Sequence, residues 1–171
     1  MHAWLGALLA LAAGLSALPL PAAGPPPVKI AVFDFELDDV SAAAATSPLA
    51  SAGDLNRMQA VTEEARHILA QSGRYALVAT QGVDAKPAVD RSLRHCGGCE
   101  AAIALQLGAE QSLVGIVTRV AKTEYYVSLR ITDAVTGKVV NEQSAFFTGA
   151  DDAWASGVRL LIKHTVLTDP G

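Results

Sequence analysis

Two cysteines stand two residues apart in the phrase Cys96-Gly97-Gly98-Cys99-Glu100, and their type and spacing point most directly to chemistry. Three chemistries fit. A two-residue spacing can close a small disulfide ring, which by the loop-entropy argument stabilises by only about 2 kcal/mol before strain. Set ahead of a helix, such a ring fixes the loop and the helix start. The same pair can exchange disulfides, because a helix N-terminus favours a thiolate and the second thiol can resolve a mixed disulfide. The third is metal. His95, Cys96 and Cys99 offer three ligands, but zinc takes four and no second cysteine pair exists. Covalent haem attachment needs a histidine directly after the second cysteine, where Glu100 stands. The expectation is a Cys96–Cys99 disulfide, with no metal and no cofactor; redox activity of the pair is the alternative.

Other sets of residues carry weaker signals. Asp34, Glu36, Asp38 and Asp39 crowd the end of a predicted strand. Hard cations take several carboxylate oxygens, yet the Asp-x-Asp-x-Asp-Gly loop pattern is absent and Asp39 falls on the opposite strand face from the other three. A solvated strand end is expected. His67 and His164 lie in predicted helices without a metal-spaced partner, which makes them surface or boundary residues. No Gly-x-Ser-x-Gly elbow, phosphate-binding glycine loop or dinucleotide fingerprint occurs, so serine hydrolase, NTPase and dehydrogenase readings have no motif behind them. The expectation is a protein that is not an enzyme. Tyr125 and Tyr126 point to opposite faces of a predicted strand, with Tyr126 beside Arg130 and Thr132. A tyrosine on an open sheet face can anchor a partner protein, although tyrosine also simply suits a strand. Tyr126 and Arg130 are the candidate partner contacts, and Trp154 is expected in the core.

The elements that must position these residues follow from periodicity. Val28 to Leu37 reads as one strand, apolar on both faces in its first half. Asp38 to Gly53 has no period and reads as an exposed loop. Asp54 is the expected cap of a helix whose stripe is Leu55, Met58, Val61, Thr62, Ala65, Ile68 and Leu69, closed by Gly73. Tyr75 to Thr80 is a short strand. Gln81 to His95 is polar, with Pro87, and has room for a helical turn. Cys99 to Leu107 is a helix closed by Gly108, and Leu113 to Val120 is a strand. Glu124 to Thr132 alternates cleanly, with Tyr125, Val127, Leu129 and Ile131 on the core face. Asp133 to Gly137 supplies a turn and Lys138 to Phe147 the returning strand. Asp151 and Asp152 favour a helix start, ahead of a stripe of Trp154, Val158, Leu161 and Ile162. The fold class is therefore α/β, α+β-like. A single mixed sheet in the order β-α-β-α-β-β-β-α ends in an antiparallel meander and packs with about three helices.

The ends of the chain set its address. Trp4 to Leu18 is a Leu- and Ala-rich run, stopped by Pro19 and Pro21, with small residues at Ala22-Ala23-Gly24. That is the pattern of a cleavable export signal, although no Lys or Arg precedes the run. The run is shorter than the about 20 residues of a membrane span. Residues 1–23 are read as signal peptide, 24–27 as a Pro-rich leader and 28–171 as one domain. Cleavage after Ala23 leaves 171 − 23 = 148 residues, enough for one core. A net charge of −4 argues against a nucleic-acid partner. No later segment is long and apolar enough to span a membrane. In an oxidising compartment the two cysteines are expected to pair.

Four phrases resemble the amino-terminal domain of TolB and the curli-secretion (CsgG-like) envelope domains. They are Val28 to Phe35, Ser72 to Val78, Leu107 to Gly115 and Leu129 to Lys138. The whole chain is also similar to a family of short exported bacterial proteins of unknown function, through Cys96 to Glu100 and Val117 to Val127. The resemblance implies a periplasmic location and an accessory role in transport, secretion or assembly, with a periplasmic or outer-membrane protein as partner. No β-propeller follows here, so the TolB partner surface carries over to no residue of this chain. A cleft beside Asp38 to Gly53 that binds a small ligand is the remaining alternative.

Overall fold

The computed structural model describes residues 24–45, 50–80 and 92–168. The expected signal segment and most of Gln81–His95 lie outside them. The strands are β1 (Val28–Val32), β2 (Glu36–Asp39), β3 (Tyr75–Val78), β4 (Gln111–Ala121), β5 (Glu124–Asp133) and β6 (Val139–Thr148). The helices are α1 (Ala52–Gln71), α2 (Cys99–Gln106) and α3 (Trp154–Leu161). They form the expected mixed sheet, in the spatial order β3-β1-β4-β5-β6 with β2 beside the later half of β4. The pairs among β1 to β4 are parallel. The pairs β4–β5 and β5–β6 are antiparallel.

The first strand differs from the expectation of one run over Val28–Leu37. Val32 pairs with Leu113 and Glu36 with Ile116, so four steps on one strand face three on the other. One extra residue is a bulge, and it moves the following side chains to the opposite face. Ala31 and Phe33 therefore join the cluster under α2, while Phe35 and Leu37 join the one under α1 and α3. Two features fix the break. The Phe35 amide donates to Thr62 Oγ1 on α1 at 2.9 Å, which removes it from the ladder. The Phe35 ring lies against Gly115 of β4, where any Cβ would overlap three ring carbons.

Helix α1 starts earlier than expected, because Ser51 rather than Asp54 is its cap. Ser51 Oγ accepts from the Asp54 amide at 3.1 Å, and the Asp54 carboxylate accepts from the Ser51 amide at 2.9 Å, a reciprocal capping box. Asp54, four residues before Met58, thereby takes the inward position of the first turn. Leu55, expected on the stripe, is left exposed. The expected loop over Asp38–Gly53 is shortened at both ends, by β2 and by α1. The stripe from Met58 to Leu69 packs with Trp154, Val158, Leu161 and Ile162 on the inner sheet face. Burying each Val, Ile or Leu stabilises by roughly 1.5–3 kcal/mol, which outweighs any propensity term in holding these helices. A short 3₁₀ turn, Asp151–Ala153, precedes α3, and a wider π-type turn, Ile162–Val166, continues it.

The outer face is covered only in part. Helix α2 and the turn Leu93–His95 lie over Ala31, Phe33, Val114 and Ala134. Thr132, expected toward water with Tyr126, is buried at this end. Among the described residues, no helix lies over the outer side of β4, β5 and β6 at their far end.

Candidate functional site

The uncovered outer face is built by strand register. Thr118, Tyr126 and Phe146 lie side by side across β4, β5 and β6, and Ile116, Ser128 and Ser144 form the next row. Antiparallel neighbours on one face are the interacting unit of a sheet. Here Tyr126 and Phe146 meet edge to face with ring centroids 5.1 Å apart. They remain 43% and 48% exposed, and Val120 is exposed near them. The Ser128 and Ser144 hydroxyls are bonded at 3.0 Å. Among the described residues β6 is the last strand on this side, and its outer edge carries exposed Val139 and Val140. Phe146 is a contact residue that no local sequence signal marks. In sequence it is one of two adjacent phenylalanines, and only its register against Tyr126 sets it on this face.

Arg130 lies on the same face but has an internal partner. Its Nη2 donates to Glu100 Oε1 at 3.1 Å, so it ties α2 to β5 and about a third of its side chain remains open. Sequence reasoning grouped Tyr126 and Arg130; the structure gives them different neighbours.

The cysteine corner lies at the start of α2. Gly97 and Gly98 take φ of 68° and 99°, conformations that cost a side-chain-bearing residue, and so bring the two cysteines together. The Cys96 and Cys99 sulfurs are at bonding distance, with Cα atoms 5.5 Å apart. The Cys99 amide points at Cys96 Sγ, 3.2 Å away. Glu100 is only 2% exposed, and its Oε2 lies 3.5 Å from Cys96 Sγ. Cys96, Cys99 and Glu100 bring their ligand atoms within 4.8 Å of one another. His95, weighed with the cysteines as a ligand, instead accepts from Arg94 Nε at 3.1 Å.

The acidic run is divided among three arginines. Asp34 pairs with Arg66 at 2.9 Å. Glu36 and Asp38 face Arg94 at 3.6 and 3.2 Å on the outer side. Asp39 turns inward, as the alternation requires, to Arg119 at 2.6 Å. Arg119 also bonds Asp54 and, at 3.0 Å, Asp151, and its guanidinium lies 4.8 Å from the Trp154 ring centroid. One side chain thus joins β2, β4, α1 and the start of α3. Burial pushes the Asp39 and Asp54 carboxyls up. Hydrogen bonds from Ser41 and Arg119 to Asp39, and from Arg119 and Ser51 to Asp54, outweigh it and hold both below the usual carboxylate value. Trp154 is buried, as expected, while His67 and His164 are exposed. Burial raises the Tyr125 phenol, whose hydroxyl donates to the Ala153 carbonyl at 3.0 Å.

Fold and site define an α/β domain whose mixed sheet is clothed on one side and partly open on the other. The chain belongs to a family of proteins of unknown function (DUF2380), whose profile matches residues 28–166. No curated protein matches it. Among solved structures it is similar to the C-terminal domain of LpoB from Salmonella enterica, with 17% identity over 74% of this chain and 87% of that one, at a TM-score of 0.50. It is also similar to lipoprotein GNA1162 from Neisseria meningitidis, with 16% identity, 72% and 82% coverage and a TM-score of 0.49. TolB from Acinetobacter baumannii follows at 15% identity, covering 85% of this chain but 29% of that one, with a TM-score of 0.48. At these identities the likeness concerns the fold. No helix among the described residues is long and apolar enough to cross a membrane.

Proposed function

We propose that this chain is an exported, non-enzymatic accessory protein of the periplasm that binds another envelope protein through the outer face of β4, β5 and β6. The observation that carries the reading is the Tyr126–Phe146 pair, two aromatic rings in edge-to-face contact yet about half exposed, beside an open sheet edge. Exposed aromatic anchors on a rigid surface concentrate binding energy, and an edge strand offers backbone bonds to a partner strand. The export-signal pattern of the first 24 residues supports an envelope setting, and the fold is the one shared with the LpoB C-terminal domain.

The test is a photo-crosslinking amino acid placed at position 126 or 146, expressed in the native host, with the same probe at exposed Leu160 as control. The expected result is one reproducible protein captured from the outer-face positions and lost in the Tyr126→Ser, Phe146→Ser double variant, whose thermal unfolding stays close to that of the parent. Equal capture from position 160, or no reproducible capture, would refute the proposal.

A further inference from the structure

The Glu100 carboxylate is almost fully buried, and its two oxygens have different neighbours. Oε1 accepts from Arg130. Oε2 faces Cys96 Sγ at 3.5 Å. A sulfur within a disulfide carries no proton and cannot donate, so in the oxidised protein Oε2 is a buried acceptor facing a group that gives it nothing. Arg130 Nε, in the same corner, is buried without a hydrogen-bond partner among the described residues. Leaving buried polar atoms unpaired is costly, and a structural disulfide alone does not call for a carboxylate at this place. A cysteine thiol does donate, weakly, and a carboxylate is its best acceptor. The reduced pair therefore completes this corner: Cys96 Sγ accepts from the Cys99 amide at the head of α2 and donates its S–H to Glu100 Oε2. Both cysteines are only partly buried. Both glycines between them are exposed, and a Cβ on either would meet no atom within 4 Å.

We infer that Cys96 and Cys99 form a redox-active pair that exchanges its disulfide with dithiols, and that Glu100 holds Cys96 in the reduced form. In the oxidising direction, a thiolate of a protein or small-molecule dithiol attacks Cys99 Sγ. The Cys96–Cys99 bond breaks, and its electron pair leaves on Cys96 Sγ, which takes up a proton and turns it to Glu100 Oε2. The second thiolate of the donor attacks its own sulfur in the mixed disulfide, so the donor's disulfide forms and Cys99 leaves as a thiolate that is then protonated. The donor loses two electrons and two protons, and the cysteine pair gains both. Arg130 is a positioning residue, because its bond to Oε1 aims Oε2 at the sulfur.

The test equilibrates the full chain in mixtures of reduced and oxidised glutathione, alkylates free thiols and counts them by mass spectrometry. The native pair is expected to pass between disulfide and dithiol within the glutathione series. Glu100→Gln removes the charged acceptor and should move the equilibrium about tenfold toward the disulfide, which is about 30 mV for a two-electron couple. Arg130→Gln leaves Glu100 more dependent on the S–H donor and should move it the other way, a direction that a merely structural role would not produce. If Glu100→Gln fails to fold, Arg130→Gln reads the same coupling. A native pair that stays oxidised throughout the series overturns the inference, as do variants that leave the equilibrium unchanged.

Discussion

Replacing Arg119 by Met removes a charge while keeping an unbranched stem over Trp154, and so isolates the electrostatic part of the junction. Three carboxylates then lose their shared partner: Asp39, Asp54 and Asp151. Breaking a fully buried pair on one side costs about 3–5 kcal/mol. The Asp39 and Asp151 side chains are 23% and 27% exposed, so water recovers part of this and the expected loss is about 2–3 kcal/mol. For a domain near 150 residues that is a fall in melting temperature of about 5–10 °C. The pH dependence has a definite sign. Asp39 and Asp54 sit below their usual values in the folded chain, so their contribution is complete above the unfolded carboxylate value of about 4 and is lost as the pH falls through the folded values. The stability gap between parent and Arg119→Met should thus be full near neutral pH and narrow in acid. Urea unfolding followed by tryptophan fluorescence from pH 7 down to pH 3 measures it. A variant within 0.5 kcal/mol of the parent near neutral pH, on the order of an ordinary surface change, or a gap that does not narrow in acid, refutes the assignment of Arg119 as the tie between β2, β4, α1 and α3.

Gly115→Ala places a Cβ in overlap with the Phe35 ring and should cost about 1–3 kcal/mol by overpacking; Phe35→Leu in the same chain should restore part of it, which a double-mutant cycle in denaturant checks. Ser51→Ala removes the reciprocal cap of α1 and should cost about 1 kcal/mol in the same unfolding assay, with no change in thiol–disulfide equilibrium. Export with cleavage after Ala23 predicts a mature N-terminus at Gly24, read by intact mass of the periplasmic fraction; recovery of Met1 there contradicts it.

Much of the fold was legible because its signals are local. Alternation over Glu124–Thr132 put Tyr125, Val127, Leu129 and Ile131 in the core, where they lie. Turn glycines and apolar stripes located α1, α2 and α3 to within a few residues, and the element order fixed parallel pairing first and a meander last. The errors fall where a distant residue decides. Phe35 leaves its strand because Gly115, eighty positions later, leaves room for its ring and Thr62 takes its amide. Leu55 is exposed because Asp54, held by the Ser51 cap and by Arg119 together, takes the inward position. Thr132 is buried because α2 crosses that end of the sheet.

The site divides in the same way. The sequence by itself determined that Cys96 and Cys99 could meet, because two glycines between them allow only a short ring, and that Tyr126 and Tyr125 part to opposite faces, because a strand alternates. Tertiary structure alone decided what each of them touches. Strand register placed Phe146 against Tyr126, and the crossing of α2 over β5 buried Glu100 between Arg130 and the Cys96 sulfur. Periodicity along one chain fixes which way a side chain points, whereas its neighbour comes from another strand or helix, and only packing brings the two together.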